Sequence, residues 1–281
     1  MTSLLHRSRL VIRSVTYPPV ENLSRYFTPQ AGHNNTGKVT FRSKTRRARR
    51  KYRLVDFKRL IWNSYFLVFR IEYDPNRTSF IALICYLNGI LSYVIATDGL
   101  DKRRRMFVGE PPPLLQSNLR IGYILPLYRC NEGSLFNTLE LSIDRGGTLS
   151  RTAGTAVTLL KKLFLNHYLV KLPSKEQILI DKNAVGNLGR TSNPDRKFTF
   201  YYNAGQMRRL GWKPSVRGVA RNPIDHPHGG GGGKCSVTPW AKIAKNRRTR
   251  DPYKASPQIV RSRRLAIRKI VIVKLKKMGR R

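Results

Sequence analysis

The distribution of charge along this 281-residue chain decides where a compact fold can form. Residues 56–190 carry 18 basic and 11 acidic side chains; residues 1–55 carry 13 against 1, and residues 191–281 carry 24 against 3. A near-balanced middle can collapse on itself, whereas ends of one sign repel themselves and order on a polyanion. The formal charge of +40 therefore reads as a folded body with basic extensions, and nucleic acid is the first candidate partner. A membrane surface is the rival polyanion. No run of 18 or more apolar residues appears, and the basic runs flank none, which sets that reading aside.

The length allows one or two small domains, and 40% hydrophobic residues can build modest cores. Cys85, Cys130 and Cys235 are odd in number, far apart and without a C-x-x-C pair. That argues against a disulfide framework and a zinc ribbon, and it suits a reducing compartment. The first 20 residues combine Arg, Ser and Leu with no acid, a composition that fits either a targeting segment or the start of a basic arm.

The middle reads as short strands. SYFLVFRIEY (64–73) presents a mostly apolar face of Leu67, Phe69, Ile71 and Tyr73, with Arg70 and Glu72 on the other face. DPNR (74–77) is a turn, because Pro75 presets φ and Asn76 tolerates left-handed geometry. SFIALICYL and ILSYVIAT, joined by Asn88-Gly89, predict a hairpin closed by a two-residue primed turn. Further strands are expected around RIGYIL, TLELSI, AVTLL and EQILI, at a spacing that favours small barrels over βαβ units. The triple proline at 111–113 marks a natural break.

At both ends cations interleave with aromatics. Arg42, Lys44, Arg46, Arg47, Arg49, Arg50, Lys51 and Arg53 fall within twelve residues edged by Phe41 and Tyr52, the pattern of a phosphate-tracking arm. From Phe198 onward, Arg208, Arg209, Lys213, Arg217 and Arg221 alternate with Tyr201, Tyr202, Trp212 and glycines. The segment 242–281 holds 16 basic residues and a single acid, and its apolar residues allow a short helix or a strand.

NPIDHPHGGGGGK (222–234) is the densest motif. His226 and His228, two apart, would need a bend to share a metal ion, and no second ligand cluster accompanies them. A nucleotide P-loop requires Gly and Ser/Thr where His228 and Cys235 stand. Asp225 beside His226 could orient an imidazole for acid–base work, but no nucleophile is evident. Close backbone approach remains: glycines lack Cβ, Pro223 and Pro227 stiffen the entry, the imidazoles can stack or donate, and Lys234 supplies a charge.

SVRGVARNPIDHPHGGGGGK (215–234) followed by VTPW (237–240) closely resembles the signature of the ribosomal protein L-two family of the large subunit. NNTGKVTFR and KYRLVDFKR (within 34–59), EYDPNR (72–77), RTAGTAV (151–157) and VGN (185–187) resemble its other motifs in the same order. The resemblance implies a mainly β fold: a basic arm over 1–55, an OB-like RNA-binding domain over 56–120, an SH3-like barrel over 121–200 and an extended basic region over 201–281. It implies a structural, non-enzymatic constituent that binds large-subunit rRNA and neighbouring ribosomal proteins and supports the peptidyl-transferase region. Asn222, Asp225, His226, His228, Gly229, Gly230 and Gly231 would form the glycine loop. Lys38, Lys58, Arg59, Arg77, Arg151, Arg217, Arg221, Lys234, Trp240, Arg247 and Arg248 join the arm as expected RNA contacts. No catalytic residue, resident metal, cofactor or small-molecule substrate is expected, magnesium entering only with RNA.

The chain departs from the family in four places. Gly232 stands where an acid is common, the link from Lys234 to Val237 is short, residues 99–120 diverge, and the tail beyond 258 has no counterpart. The aromatic-rich, acid-poor drift of the sequence points to an organelle ribosome, a mitochondrial one, with a plastid or bacterial-type cytoplasmic ribosome as the alternative. A non-ribosomal RNA-processing or chaperone factor on the same barrels is the second functional reading.

Overall fold

The computed structural model describes residues 17–231, apart from 101, 104, 113–118, 164, 165 and 227, together with 259–261. The chain divides into two compact units. The first comprises the described parts of Met1–Phe27, Arg50–Thr199 and Pro257–Arg281; the second, those of Thr28–Arg49 and Phe200–Ser256.

The first unit is built from strands. β1 (Ser24–Phe27) and β2 (Arg50–Arg53) form an antiparallel ribbon. Then come β3 (Ser64–Glu72), β4 (Ile81–Tyr86), β5 (Leu91–Ile95), β6 (Arg105–Val108) and β7 (Ile124–Pro126). After β8 (Leu135–Asn137), the short β9 (Leu139–Glu140) and β10 (Gly147–Leu149) pair with each other. The body closes with β11 (Val157–Lys162), β12 (His167–Lys171), β13 (Gln177–Asp181) and β14 (Val185–Leu188). The large sheet runs β15-β13-β12-β11-β8-β14-β7-β6-β3-β4-β5, where β15 is Ile259–Arg261. Val108 of β6 pairs in parallel with Ile124 of β7, so the ladder continues through the boundary expected near residue 120.

Alternation explains the later strands. Val157 and Leu159, Tyr168 and Val170, and Ile178 and Ile180 point inward from three neighbouring strands, and together with Phe136 and Leu139 they form the core there. Of the tail segment that left helix and strand open, the described part, β15, is a strand. Ile259 pairs with Ile178 and packs against the core.

Two local expectations are corrected. The 86–90 connection has three residues: the Gly89 N–H donates to Tyr86 O (2.9 Å) and the Tyr86 N–H to Ile90 O (3.0 Å), with Gly89 at φ +81°. Asn88 is not left-handed, so the turn is type I followed by a glycine bulge rather than a primed turn. In the first half of β3 the buried face is the opposite of the one expected, with Phe66 and Val68 inside and Leu67 and Phe69 exposed, and further on both Ile71 and Glu72 are covered. Glu72 goes inside because partners meet it there. Arg70 Nε donates at 2.6 Å, the Tyr93 hydroxyl at 3.0 Å, and Arg53 Nε stands 3.6 Å away as an ion pair. A register shift between Val68 and Arg70 exchanges the faces of the strand, so Ile71 joins Phe66 and Val68 at the main core while Arg70 and Glu72 turn to the side of Ile81, Leu83 and Tyr93.

The same node fastens the N-terminal segment. Tyr93 Oη accepts the Val20 N–H at 3.1 Å, Arg70 Nη2 donates to Pro18 O at 3.1 Å, and Val20 and Leu23 pack on Ile81, Leu83 and Tyr93. Burial first, then the Glu72 carboxylate, pushes the Tyr93 phenol upward, so it stays a neutral donor. Tyr93→Phe leaves Glu72 one donor short in a buried site and should cost about 1–3 kcal/mol. Trypsin should then cleave after the exposed Arg25 several-fold faster than in the parent chain, a difference read by timed digestion and mass spectrometry.

Candidate nucleic-acid interface

The second unit is held by small polar turns and one indole. Asn34 Oδ1 accepts from the Thr36 N–H, the Thr36 hydroxyl and the Lys38 N–H at 2.8–3.0 Å, an Asx turn that leaves Lys38 exposed. The single α-helix among the described residues, α1 (Ala204–Arg209), ends at Gly211 and presents Trp212. Lys44 Nζ lies 3.3 Å from the centre of that ring, and Phe41 meets it edge-on at 5.9 Å. The Thr45 N–H donates to Gly211 O and the Lys213 N–H to Ser43 O, so the basic arm and the α1 segment form one ladder. Arg42, Arg46, Arg49, Arg208, Arg209, Lys213 and Arg217 stay exposed on this unit, with Tyr202 and Phe200 each 65% exposed.

The glycine loop is folded upon itself. The Asp225 and His226 N–H groups donate to Asn222 O, the Gly229 N–H to His226 O, and the Gly230 N–H to Arg221 O. The His226 ring lies on Gly218, where a Cβ would fall 2.3 Å from Nδ1. Nδ1 accepts the His228 N–H at 3.0 Å, so a neutral His226 in this geometry carries its proton on Nε2. The two imidazoles meet edge-on at 4.9 Å. A Cβ on Gly229 would lie 2.3 Å from Asn222 O, and one on Gly230 (φ +83°) 2.6 Å from Pro223 Cγ. Around Gly231 no atom of the described residues comes within 4 Å of such a Cβ. Gly229 and Gly230 thus serve the loop's own backbone, and Gly231 is uncrowded among the described residues.

In the first unit, Lys58 and Arg151 are exposed, and Arg151 stacks at 4.8 Å on Phe57. Arg77 is tied to the buried Asp74 at 2.6 Å. Arg50 and Lys51 lie over Phe27 and Tyr26 at 5.1 and 5.4 Å.

Two expected RNA contacts are interior residues. Arg53 and Arg59 are each only 5% exposed. Arg53 serves Glu72. Arg59 Nη2 donates to Thr138 O and to Asn187 Oδ1 at 3.1 Å, and Nη1 stands 3.6 Å from Glu140 Oε1. Loss of hydration brings the Arg59 guanidinium down to about 10, opposed by the Glu140 and Asp56 charges. Lys234, Trp240, Arg247 and Arg248 lie outside the described residues. Sequence reasoning missed Tyr26 and Phe27, 83% and 42% exposed under the neighbouring cations; their signal was an aromatic pair directly after Arg25.

Comparison with known proteins finds two family models along the chain. Residues 20–106 match the family described as Ribosomal Proteins L2, RNA binding N-terminal domain, and residues 120–246 match Ribosomal Proteins L2, C-terminal domain. The large ribosomal subunit protein uL2 of Ruegeria pomeroyi is 40% identical over 252 residues, covering 87% of this chain and 88% of its own length. That of Rickettsia akari is 39% identical over 251 residues, covering 88% and 90%. That of Roseobacter denitrificans is 40% identical over 252 residues.

Proposed function

This chain belongs to the ribosomal L2 family, and on that premise we propose that its exposed cations and rings are contacts to large-subunit rRNA and that its glycine loop supports the peptidyl-transferase region. The chain is mainly β, an OB-like barrel followed by an SH3-like barrel, and it is a structural constituent of the large ribosomal subunit with an RNA-binding N-terminal domain. The match of both family domains, at about 40% identity over most of the chain, carries this reading.

The division of labour follows from the chemistry. Exposed Arg42, Arg46, Arg49, Arg208, Arg209 and Lys213 neutralise phosphates, while Tyr202 and Phe200 offer faces for unpaired bases. Asn222, Asp225, His226 and His228 shape the loop, and Gly231 offers main chain to RNA. We place the boundary between the barrels near residue 120, supported by the gap between the two family matches. The RNA performs the chemistry of peptide transfer, and the protein holds its fold. We assign the particle to mitochondria on the acid-free, Arg- and Ser-bearing first 20 residues. Intact mass of the protein from purified mitochondrial large subunits checks that assignment, and failure to recover it there overturns it.

Each phosphate contact should contribute on the order of −0.7 to −0.9 to the log–log salt slope of binding. The free chain on large-subunit rRNA should therefore show a slope steeper than about −4, and Arg208→Ala with Arg209→Ala should make it shallower by about 1.4–1.8. Filter binding across a salt series measures both. A parent slope shallower than about −2 would contradict the assignment.

A further inference from the structure

Among the described residues, the most exposed large hydrophobic side chain stands at the tip of the glycine loop: Ile224, at 98%. The loop's backbone fixes it there. The Asp225 and His226 N–H groups both close on Asn222 O, at 3.0 and 3.3 Å, and Gly230 passes so near Pro223 that a Cβ on it would fall 2.6 Å from the ring. Ile224 is therefore the third residue of a turn that opens on Asn222 and is stiffened by Pro223. Turns are mostly built from Gly, Pro, Asn, Asp and Ser. A β-branched aliphatic chain in this place neither shapes the turn nor finds burial in the protein, and such a local cost marks a contact made outside the chain. Its stiff χ1 also leaves little rotamer freedom to lose on docking.

We propose that Ile224 is a wedge: it enters between two stacked nucleotides of large-subunit rRNA and opens the step, with the folded glycine loop as its rigid mount. The inference rests on the rRNA contacts proposed above and names what the tip of the loop does among them. Two observations favour bases over a protein partner or a phosphate. Among the described residues of 217–231, no other large hydrophobic side chain is exposed, so the tip lacks the apolar centre that a protein contact needs. A single apolar side chain, isoleucine among them, is enough to part a base step. Asp225, exposed beside the wedge, repels phosphate and can accept from base amino groups. Exposed Lys213 and Arg217 of the same unit supply the charge that holds the RNA backbone.

The test measures binding of the full chain to large-subunit rRNA across a salt series. Ile224→Ala should weaken binding about tenfold at every salt, because it removes the carbons that make the apolar contact. The log–log slope should stay as in the parent, since a neutral side chain releases no counterion, whereas Arg217→Ala should make it shallower by about 0.7–0.9. Ile224→Met keeps the apolar bulk and should stay within about threefold of the parent. A side chain already in solvent adds nothing to the fold, and unchanged circular dichroism of Ile224→Ala checks that the loss is one of contact. In intact subunits, a photo-crosslinking phenylalanine at position 224 should give a nuclease-sensitive adduct on adjacent nucleotides. A loss for Ile224→Ala below about twofold, the size of an ordinary surface change, would overturn the wedge. So would a changed slope, a nuclease-resistant adduct or no adduct. A parent chain that itself fails to bind rRNA with steep salt dependence overturns the rRNA-contact reading instead, so the two failures are read from different chains.

Discussion

Arg59→Met is expected to lower the folding stability of this chain by about 3–5 kcal/mol, a large share of the roughly 5–15 kcal/mol that such proteins hold. Arg59 is buried and bridges Thr138 O, Asn187 Oδ1 and the Glu140 carboxylate. Removing it leaves that carboxylate uncompensated and two acceptors without a donor. Burial already raises Glu140 above its ordinary value, and the Arg59 charge is the first opposing influence. Without Arg59 the carboxyl rises further. A carboxyl raised in the folded state favours folding below its unfolded value and loses that advantage as pH climbs through its folded value. The deficit should therefore be full at pH 7 and shrink as acid protonates Glu140. Glu140→Gln in the same chain removes the charge but keeps an acceptor for the Val185 N–H, and it should recover about half of the loss. Urea unfolding followed by circular dichroism at pH 7 and pH 5 reads all of this. An unchanged midpoint for Arg59→Met at pH 7 would show that the pair contributes nothing.

Gly229→Val and Gly230→Val are each expected to cut the yield of assembled large subunits at least tenfold, with Gly231→Val falling well short of that. A Cβ at Gly229 meets the Asn222 and Arg221 carbonyls at 2.3 and 2.6 Å, and backbone cannot swing aside as a side chain can. Gly230 sits at φ +83°, where a β-branched residue is strained by about 1–3 kcal/mol, and its Cβ also meets Pro223. A loss at Gly231 is expected to report contact with RNA, because none of the described residues crowds that position. His226→Ala removes the acceptor for the His228 N–H, a contact worth about 0.5–1.5 kcal/mol, and should yield particles that assemble but work less well. Were His226 a chemical base, the rate would instead fall on the order of 10²–10⁴ with normal assembly. Particle yield and single-turnover peptide-bond formation separate the cases. Normal assembly of Gly229→Val would refute the folded-loop account.

Alternation made much of the strand pattern legible. Val157/Leu159 and Ile178/Ile180 announce their strands directly, and the glycine loop with the other motifs in family order pointed to the right family. Strand β3 misled because a register shift between Val68 and Arg70 exchanges its two faces midway, so that no single alternation describes it. The decision between them lies with Glu72, whose partners Arg53 and Tyr93 come from β2 and β5. The same long-range pairing hid the interior role of Arg59: in sequence it is one more cation in KYRLVDFKR, and only the arrival of Glu140 and Asn187 makes burial tolerable. In the glycine run, composition signalled close approach but not to what. Gly229 and Gly230 approach the chain itself, and that division depends on φ and on the path of Asn222, which no local rule supplies.

The pairing of β15 with β13 bears on the order in which the protein is made. Residues that complete the large sheet, Ile259–Arg261, leave the ribosome long after Gln177–Asp181, with the second unit's later segment translated in between. At ~5–20 residues per second, the edge of β13 waits on the order of 4–16 s for its neighbour. Throughout that interval it offers unpaired N–H and C=O groups beside Ile178 and Ile180, a template for joining other nascent chains. Shortening the wait by faster elongation, or covering the edge with a chaperone, should raise the soluble yield of newly made protein without altering its final structure.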